Sequence, residues 1–284
     1  MNKKLNLGTL YASLRNELTL SGIESASLES RILLAHSLNI SDSVITGYPE
    51  TLIDFECLKI IESNIKRRVR GEPISYIVGS REFWSLSFDV TPDTLIPRHE
   101  SELLINIALQ NIKDRKLPLS ILDLGTGSGC LLLSLLSELP FATGIGIDIS
   151  QPALNVAIIN AKNLNLSSRV SFQHGDWFEG LEGKFDLILS NPPYIETNKI
   201  PYLETKIKDY EPVLALNGGN DGLEHYHKIG QDCIKRIAPS GFVLLEIGSS
   251  QAEDVSAILS KNGLSEIKLY KDLSNLDRCI LATV

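Results

Sequence analysis

Five consecutive residues, Ser190-Asn191-Pro192-Pro193-Tyr194, join groups that can do chemistry to a backbone that cannot bend away from it. Neither proline can donate a ladder hydrogen bond, so a strand running into them must stop. Asn191 precedes a proline and is held extended. The stretch therefore presents a carboxamide, at least one proline carbonyl with no ladder partner, and an aromatic ring on a stiff turn. That set suits a planar –NH2 group, whose nitrogen is a poor nucleophile because its lone pair is delocalised. An Asn side-chain oxygen and a proline carbonyl can each accept one of its N–H bonds, aiming the nitrogen at an electrophile such as a methyl group. The Tyr194 ring can pack on the planar target or exclude water. The same residue types also end ordinary strands, and alone they leave the two readings even.

The elements around this turn break the tie. Phe185 to Leu189 reads as a buried parallel strand, which puts the turn at a strand's carboxyl end, where open α/β sheets bind ligands. From residue 119 the chain repeats strand, turn and helix. Strands are expected at 120–124, 142–147, 170–173, 185–190, 241–247, 266–270 and 278–283, with helices between them. This alternation predicts an α/β fold, a doubly wound, mostly parallel seven-stranded sheet covered on both faces. The first strand ends in Asp123-Leu124-Gly125-Thr126-Gly127-Ser128-Gly129. This turn lacks the Gly-Lys-Ser/Thr of a triphosphate loop and is tighter than the dinucleotide fingerprint, but its glycines let a ligand approach the backbone. Asp148 ends the second strand, where a carboxylate can accept both hydroxyls of a ribose. Asp176 and Trp177 follow the third strand and could bond to and flank an adenine ring. Four such features after four successive strands are hard to assign to chance.

The remainder of the chain reads as support. Residues 1–80 are expected to be a helical domain: Leu7, Leu10, Tyr11, Leu14 and Leu18 repeat at helical spacing, and Leu28, Ile32, Ala35 and Leu38 continue the pattern in a second helix. A further helix over 51–71 has Asp54 as N-cap and Gly71 as its stop. Its basic end, Lys66-Arg67-Arg68-Val69-Arg70, suits a solvated helix C-terminus or a docking patch for an acidic or RNA-associated partner. Trp84, Leu86, Phe88 and Val90 alternate with polar residues, predicting a half-buried strand in a linking β-hairpin over 81–95. A helix over about 100–112 opens the catalytic domain, 96–284. His99, with no second histidine near it as a ligand, is expected to be solvated.

The chain has 284 residues, 43% hydrophobic and 22% charged, enough for two domains with full cores. A net charge of −8 argues against a broad grip on nucleic acid, which needs Lys and Arg to neutralise phosphates. Cys57, Cys130, Cys233 and Cys279 show no metal or disulfide spacing and are expected to be reduced. With neither a signal-peptide pattern nor a membrane-length apolar run, a soluble, cytoplasmic protein is expected, with a monomer as the default state.

Asp123 to Gly129, Asp148 and Asn191 to Tyr194 resemble a class I S-adenosylmethionine-dependent methyltransferase. A wider set is more specific: Gly71-Glu72-Pro73-Ile74-Ser75-Tyr76-Ile77, Phe83-Trp84, Ile96-Pro97-Arg98 with Glu100 and Glu102, Ser190 to Tyr194, Tyr210-Glu211-Pro212, Gly218 to Leu223, Leu245 to Gly248 and Lys271 to Leu273. Together these resemble the HemK/PrmC family of peptide chain release factor N5-glutamine methyltransferases over nearly the whole chain. His99 and Ser101 depart from the Pro-Glu-Thr-Glu that the family usually carries after the arginine. The resemblance implies that Gly125, Thr126, Gly127, Ser128 and Gly129 line the methionine end of S-adenosylmethionine, Asp148 holds its ribose, and Asp176 with Trp177 meets its adenine. Asn191, beside the cofactor, and Pro192 would hold the glutamine amide of a Gly-Gly-Gln loop, with Pro193 and Tyr194 completing the substrate pocket. It further implies S-adenosylhomocysteine as product, no metal, a release factor as protein partner, and an N-terminal domain that recognises the substrate. Two alternatives compete: a ribosomal-protein glutamine methyltransferase with the same core motif, and an adenine-N6 nucleic-acid methyltransferase, which would need a basic target-recognition domain.

Overall fold

The structure, a computed structural model, describes residues 5–284. The chain forms two compact units, the first ending at Gly79 and the second spanning Ser80–Val284, so the hairpin is part of the second.

The first unit is helical. Helix α1 (Leu7–Leu20) is capped by the Asn6 side chain, which accepts from the Thr9 N–H at 2.9 Å, and it buries Leu7, Leu10, Leu14 and Leu18. Helix α2 (Ala26–Leu38) is rotated from the expected face: Ala26, Ser30, Leu33 and Leu34 are buried, while Leu28 is 52% exposed. Two rows on this helix satisfy the 3.6 period. The inward one also carries Glu29, which receives Arg68 of α4 (Phe55–Val69) at 2.5 Å with both side chains nearly enclosed. The basic end of α4 is therefore not simply a solvated face. Arg68 pins α2 to α4, and Arg67 donates to Glu72 from its Nε at 2.8 Å. Two short helices, α3 (Asp42–Gly47) and α5 (Ile74–Val78), are too brief to leave a periodic signal and were not expected.

The second unit opens with the hairpin β1 (Ser80–Phe83) and β2 (Leu86–Asp89). The expected strand through Trp84 is interrupted, because Trp84 and Ser85 form the turn with φ of 52° and 57°. The Glu102 carboxylate accepts the Trp84 N–H at 3.0 Å, and the indole N–H donates to Glu138 at 2.9 Å, which holds this uncommon backbone. A 3₁₀ turn (His99–Ser101) leads into α6 (Glu102–Asn111), with His99 largely exposed.

There follow β3 (Ser120–Leu124), α7 (Cys130–Glu138), β4 (Thr143–Asp148), α8 (Gln151–Asn163), β5 (Val170–His174), β6 (Phe185–Ser190), α9 (Thr205–Lys208), α10 (Glu224–Arg236), β7 (Ile237–Glu246), α11 (Ala252–Lys261), β8 (Ser265–Lys271) and β9 (Asp277–Thr283). The seven strands run in the order β5-β4-β3-β6-β7-β9-β8, all parallel except β9, which is antiparallel to both neighbours. Alternation along each strand feeds two cores. Leu187, Leu189, Phe242 and Leu244 pack under α6 and α7, and Ile188, Val243 and Leu245 pack under α10 and α11. The chain moves outward from β3 to β5 and then returns to lay β6 on the other side of β3. That reversal opens a crevice at the carboxyl ends of β3 and β6. The four cysteines are free. Among the described residues no helix is long and apolar enough to cross a membrane.

Candidate active site

The glycine turn after β3 is built by backbone conformation. Gly125, Gly127 and Gly129 have φ of 69°, 55° and 79°, where a side chain would be strained. A Cβ on Gly127 would meet nothing within 4 Å, so it would project into open space. Asp148 holds the turn from the end of β4: its Oδ2 accepts the Gly127 N–H at 2.8 Å and its Oδ1 accepts the Ser150 N–H at 2.9 Å. Burial raises the Asp148 pKa against these donors, so they only partly offset the lost hydration. Beneath the turn, Asp123 is buried and accepts from the Thr126 hydroxyl at 2.6 Å, and its pKa is pushed up to about 7 by desolvation.

After β5, Trp177 takes a left-handed backbone (φ 52°) and sets its ring 5.2 Å from that of His225. The His225 Nε2 lies 3.0 Å from the Asn217 carbonyl. A carbonyl can only accept, so Nε2 carries a proton, and Nδ1 is buried with no hydrogen-bond partner. Asp176 sits 3.5 Å from the Lys228 ammonium.

At the end of β6 the Ser190 hydroxyl donates to the Leu124 carbonyl at 2.6 Å, tying the two switch-point strands together. The Asn191 Nδ2 donates to the Ser101 hydroxyl at 3.2 Å, and Ser101 donates to Glu246 Oε2 at 2.5 Å. Glu246 is 2% exposed at the end of β7, and burial pushes its carboxyl up to about 7. The Tyr194 backbone is clamped from two sides: Gln251 donates to its carbonyl at 3.2 Å, and a Cβ on Gly222 would lie 2.5 Å from the same oxygen. Burial also pushes the Tyr194 hydroxyl up to about 12, so it stays protonated. The Arg98 guanidinium meets Glu211, whose side chain is enclosed, at 2.5 Å and so joins the segment before α6 to the loop after β6.

These groups surround one cavity of about 280 Å³. Of the expected site residues, Gly125, Thr126, Gly127, Ser128, Asp148, Asp176, Trp177, Asn191 and Pro193 line it. Gly129, Pro192 and Tyr194 do not. Gly129 packs on Leu133 and Ala157 instead, where a Cβ would lie 3.1 and 3.3 Å from their side chains. Sequence reasoning left out Ser101, His225 and Lys228, which line the cavity, and Glu246 behind it. Only Glu246 carried a signal, a lone carboxylate inside an apolar strand; the others come from elements distant in sequence.

A seven-stranded sheet with one antiparallel strand, a glycine turn after β3 and a carboxylate after β4 define a class I methyltransferase, a class that uses S-adenosylmethionine. Residues 117–268 match the family model described as a methyltransferase domain, and residues 9–79 match the PrmC N-terminal domain. The release factor glutamine methyltransferase of Caulobacter vibrioides is 37% identical over 278 residues, covering 98% of this chain and 96% of that protein. That of Aliivibrio fischeri is 37% identical over 279 residues, covering 98% and 97%. The crystal structure of a methyltransferase from Pyrococcus furiosus shares the fold, with a TM-score of 0.54 at 18% identity over 78% of this chain and 98% of that one. The chain belongs to the family of release factor glutamine methyltransferases.

The cavity suits that cofactor. Gly127 faces space that a side chain would fill, the Asp148 carboxylate lines the cavity, and Trp177 with His225 offers ring faces and a buried ring nitrogen without a partner.

Proposed function

We propose that this chain transfers a methyl group from S-adenosylmethionine to the side-chain amide nitrogen of the glutamine in the Gly-Gly-Gln loop of a peptide chain release factor, giving N5-methylglutamine and S-adenosylhomocysteine. The observation that carries the reading is that Asn191 and the glycine turn with Asp148 line one cavity at the carboxyl edge of the sheet. A cofactor site and an acceptor for an –NH2 group thus share one space.

In this reading Gly125 to Ser128 receive the methionine end, with Gly129 supporting the turn from below. Asp148 accepts the ribose hydroxyls, and Trp177, with Asp176 and His225 around it, encloses the adenine. When bound, S-adenosylmethionine supplies an electrophilic methyl carbon on a sulfonium. Asn191 accepts one N–H of the target amide through its Oδ1, and the Pro192 carbonyl, set back from the cavity lining, is the acceptor proposed for the other. Those two bonds turn the nitrogen lone pair toward the methyl donor and freeze an orientation that is rare in water. Pro193 forms the cavity wall there. Tyr194 acts from behind the wall, holding the turn rigid through its partly buried ring, which packs on the β6–β7 core. No residue of the turn is a strong base; the methylated nitrogen gives up one N–H proton to solvent after transfer, and rate enhancement comes from orientation and exclusion of water. The N-terminal unit serves substrate recognition, and no metal takes part.

Incubation with methyl-labelled S-adenosylmethionine and, in parallel, a release factor, a ribosomal protein mixture and duplex DNA tests this. Label on the Gly-Gly-Gln glutamine is expected. Label on ribosomal protein or DNA alone would overturn it.

A further inference from the structure

The three-residue hydrogen-bond chain behind the cavity has a direction, and that direction matters to the reaction. Ser101 has one hydroxyl proton. It lies on the 2.5 Å bond to Glu246 Oε2, so toward Asn191 the oxygen can only accept. Only the –NH2 end of the Asn191 carboxamide can satisfy it, which accounts for the 3.2 Å contact from Nδ2. The other end, Oδ1, has no protein partner among the described residues, and Asn191 lines the cavity. A carboxamide with neither end tethered would be free to present donor or acceptor.

We infer that Ser101 and the buried Glu246, in its ionised form, are positioning residues that fix the Asn191 carboxamide with its oxygen toward the cavity, so that the target –NH2 meets an acceptor. This rests on the function proposed above. The relay joins three separate elements: the turn before α6, the end of β6 and the end of β7.

The relay also has a reverse state. A proton on Glu246 Oε2 turns that carboxyl into a donor toward Ser101, releases the serine proton toward Asn191 and favours the flipped carboxamide, with –NH2 facing the cavity. Two donors would then oppose each other at the target. Around Glu246 stand Arg98 and Glu100 before α6, Tyr194 after β6, Cys130 on α7, Tyr226 on α10, and Arg278 and Cys279 on β9. Burial raises the Glu246 carboxyl to about 7, against Ser101 and the two arginines. Turnover is therefore expected to fall as pH drops through that value.

The test is steady-state methylation of an intact release factor by the full chain at saturating cofactor across pH, with cofactor Kd measured in parallel. Ser101→Ala should lower kcat about tenfold, the worth of one hydrogen bond. It should leave cofactor Kd unchanged and flatten the acid limb of the profile. Ser101→Thr, which keeps the hydroxyl, should recover both kcat and the limb. If Ser101→Ala binds cofactor normally and retains wild-type kcat with the same limb, the relay is refuted. If the wild-type chain puts no methyl on the glutamine, the function itself has failed, a separate result.

Discussion

Replacing Asp148 with alanine separates two roles that the carboxylate fills at once. Its bonds to the Gly127 and Ser150 N–H groups belong to the fold, and the residue also lines the cavity. If each ribose hydroxyl donates one charge-assisted bond of about 1.5–3 kcal/mol, the variant loses about 3–4 kcal/mol of cofactor binding, since such terms do not fully add. Kd should then rise about 100- to 1,000-fold. The cost to the fold is much smaller. Water can reach the freed Gly127 N–H through the open space beside that glycine, and a desolvated charge is removed at the same time. A net loss of about 1 kcal/mol lowers Tm by about 2–4 °C. Calorimetric titration with S-adenosylhomocysteine, alongside thermal unfolding without ligand, measures both. Asn at this position is no gentle control, because one of its ends must place an –NH2 against a backbone N–H. Because burial raises the carboxyl pKa, wild-type affinity should also weaken on acidification sooner than an ordinary aspartate would allow. A Kd within about threefold of wild type in a folded Asp148→Ala variant would refute the ribose role.

Asn191→Ala should leave cofactor Kd unchanged while cutting kcat about 100-fold, as expected for an acceptor used only by the target amide, and equal turnover would remove that role. Asp123 and Glu246 both have carboxyls raised to about 7 by burial. Between the ordinary carboxylate range and that value the native state therefore holds protons that the unfolded chain has released. Their contribution to stability is full below this window and is lost as pH rises through about 7. Glu246→Gln should accordingly gain on wild type as pH rises, by up to about 3 kcal/mol, in urea unfolding across pH; a gap independent of pH would contradict the burial argument. Gly222→Ala places a Cβ against the Tyr194 carbonyl at a φ of 75° and should cost about 2–4 kcal/mol, checked by the shift in denaturant midpoint.

Much of this molecule was legible from local pattern. The strand-turn-helix rhythm after residue 119, the prolines that end β6 and the glycines after β3 are each enforced by backbone chemistry within a few residues, so they survive without tertiary context. The missing Gly-Lys-Ser/Thr also separated this turn from a triphosphate loop, and the glycine spacing separated it from the dinucleotide fingerprint. Where two local solutions were equally good, the sequence could not choose. Both rows of α2 have helical spacing, and the choice is made by distant partners, the apolar core that takes Leu33 and Leu34 and the Arg68 that meets Glu29. The alternation from Trp84 to Val90 suits a single strand, but bonds to Glu102 and Glu138, far along the chain, convert its first two residues into a turn. Amphipathic spacing likewise says nothing of α3 and α5, which are shorter than two helical turns.

The site divides in the same way. The Asn191 carboxamide and the Asp148 carboxylate could be picked out by type and by position at strand ends, because a parallel sheet brings all those ends to one edge. Which atom of Asn191 faces the cavity could not be read so, since a carboxamide is nearly symmetric in shape and its direction is set by a serine 90 residues earlier and a glutamate on another strand. Tyr194 shows the converse: its type suggested contact with substrate, while packing against the β6–β7 core places it behind the cavity wall. Sequence alone determined which chemical groups arrive at the sheet's edge, because backbone sterics and strand direction are local. Tertiary structure decided which of their atoms are free to act, because hydrogen-bond direction and burial are settled only when distant elements meet.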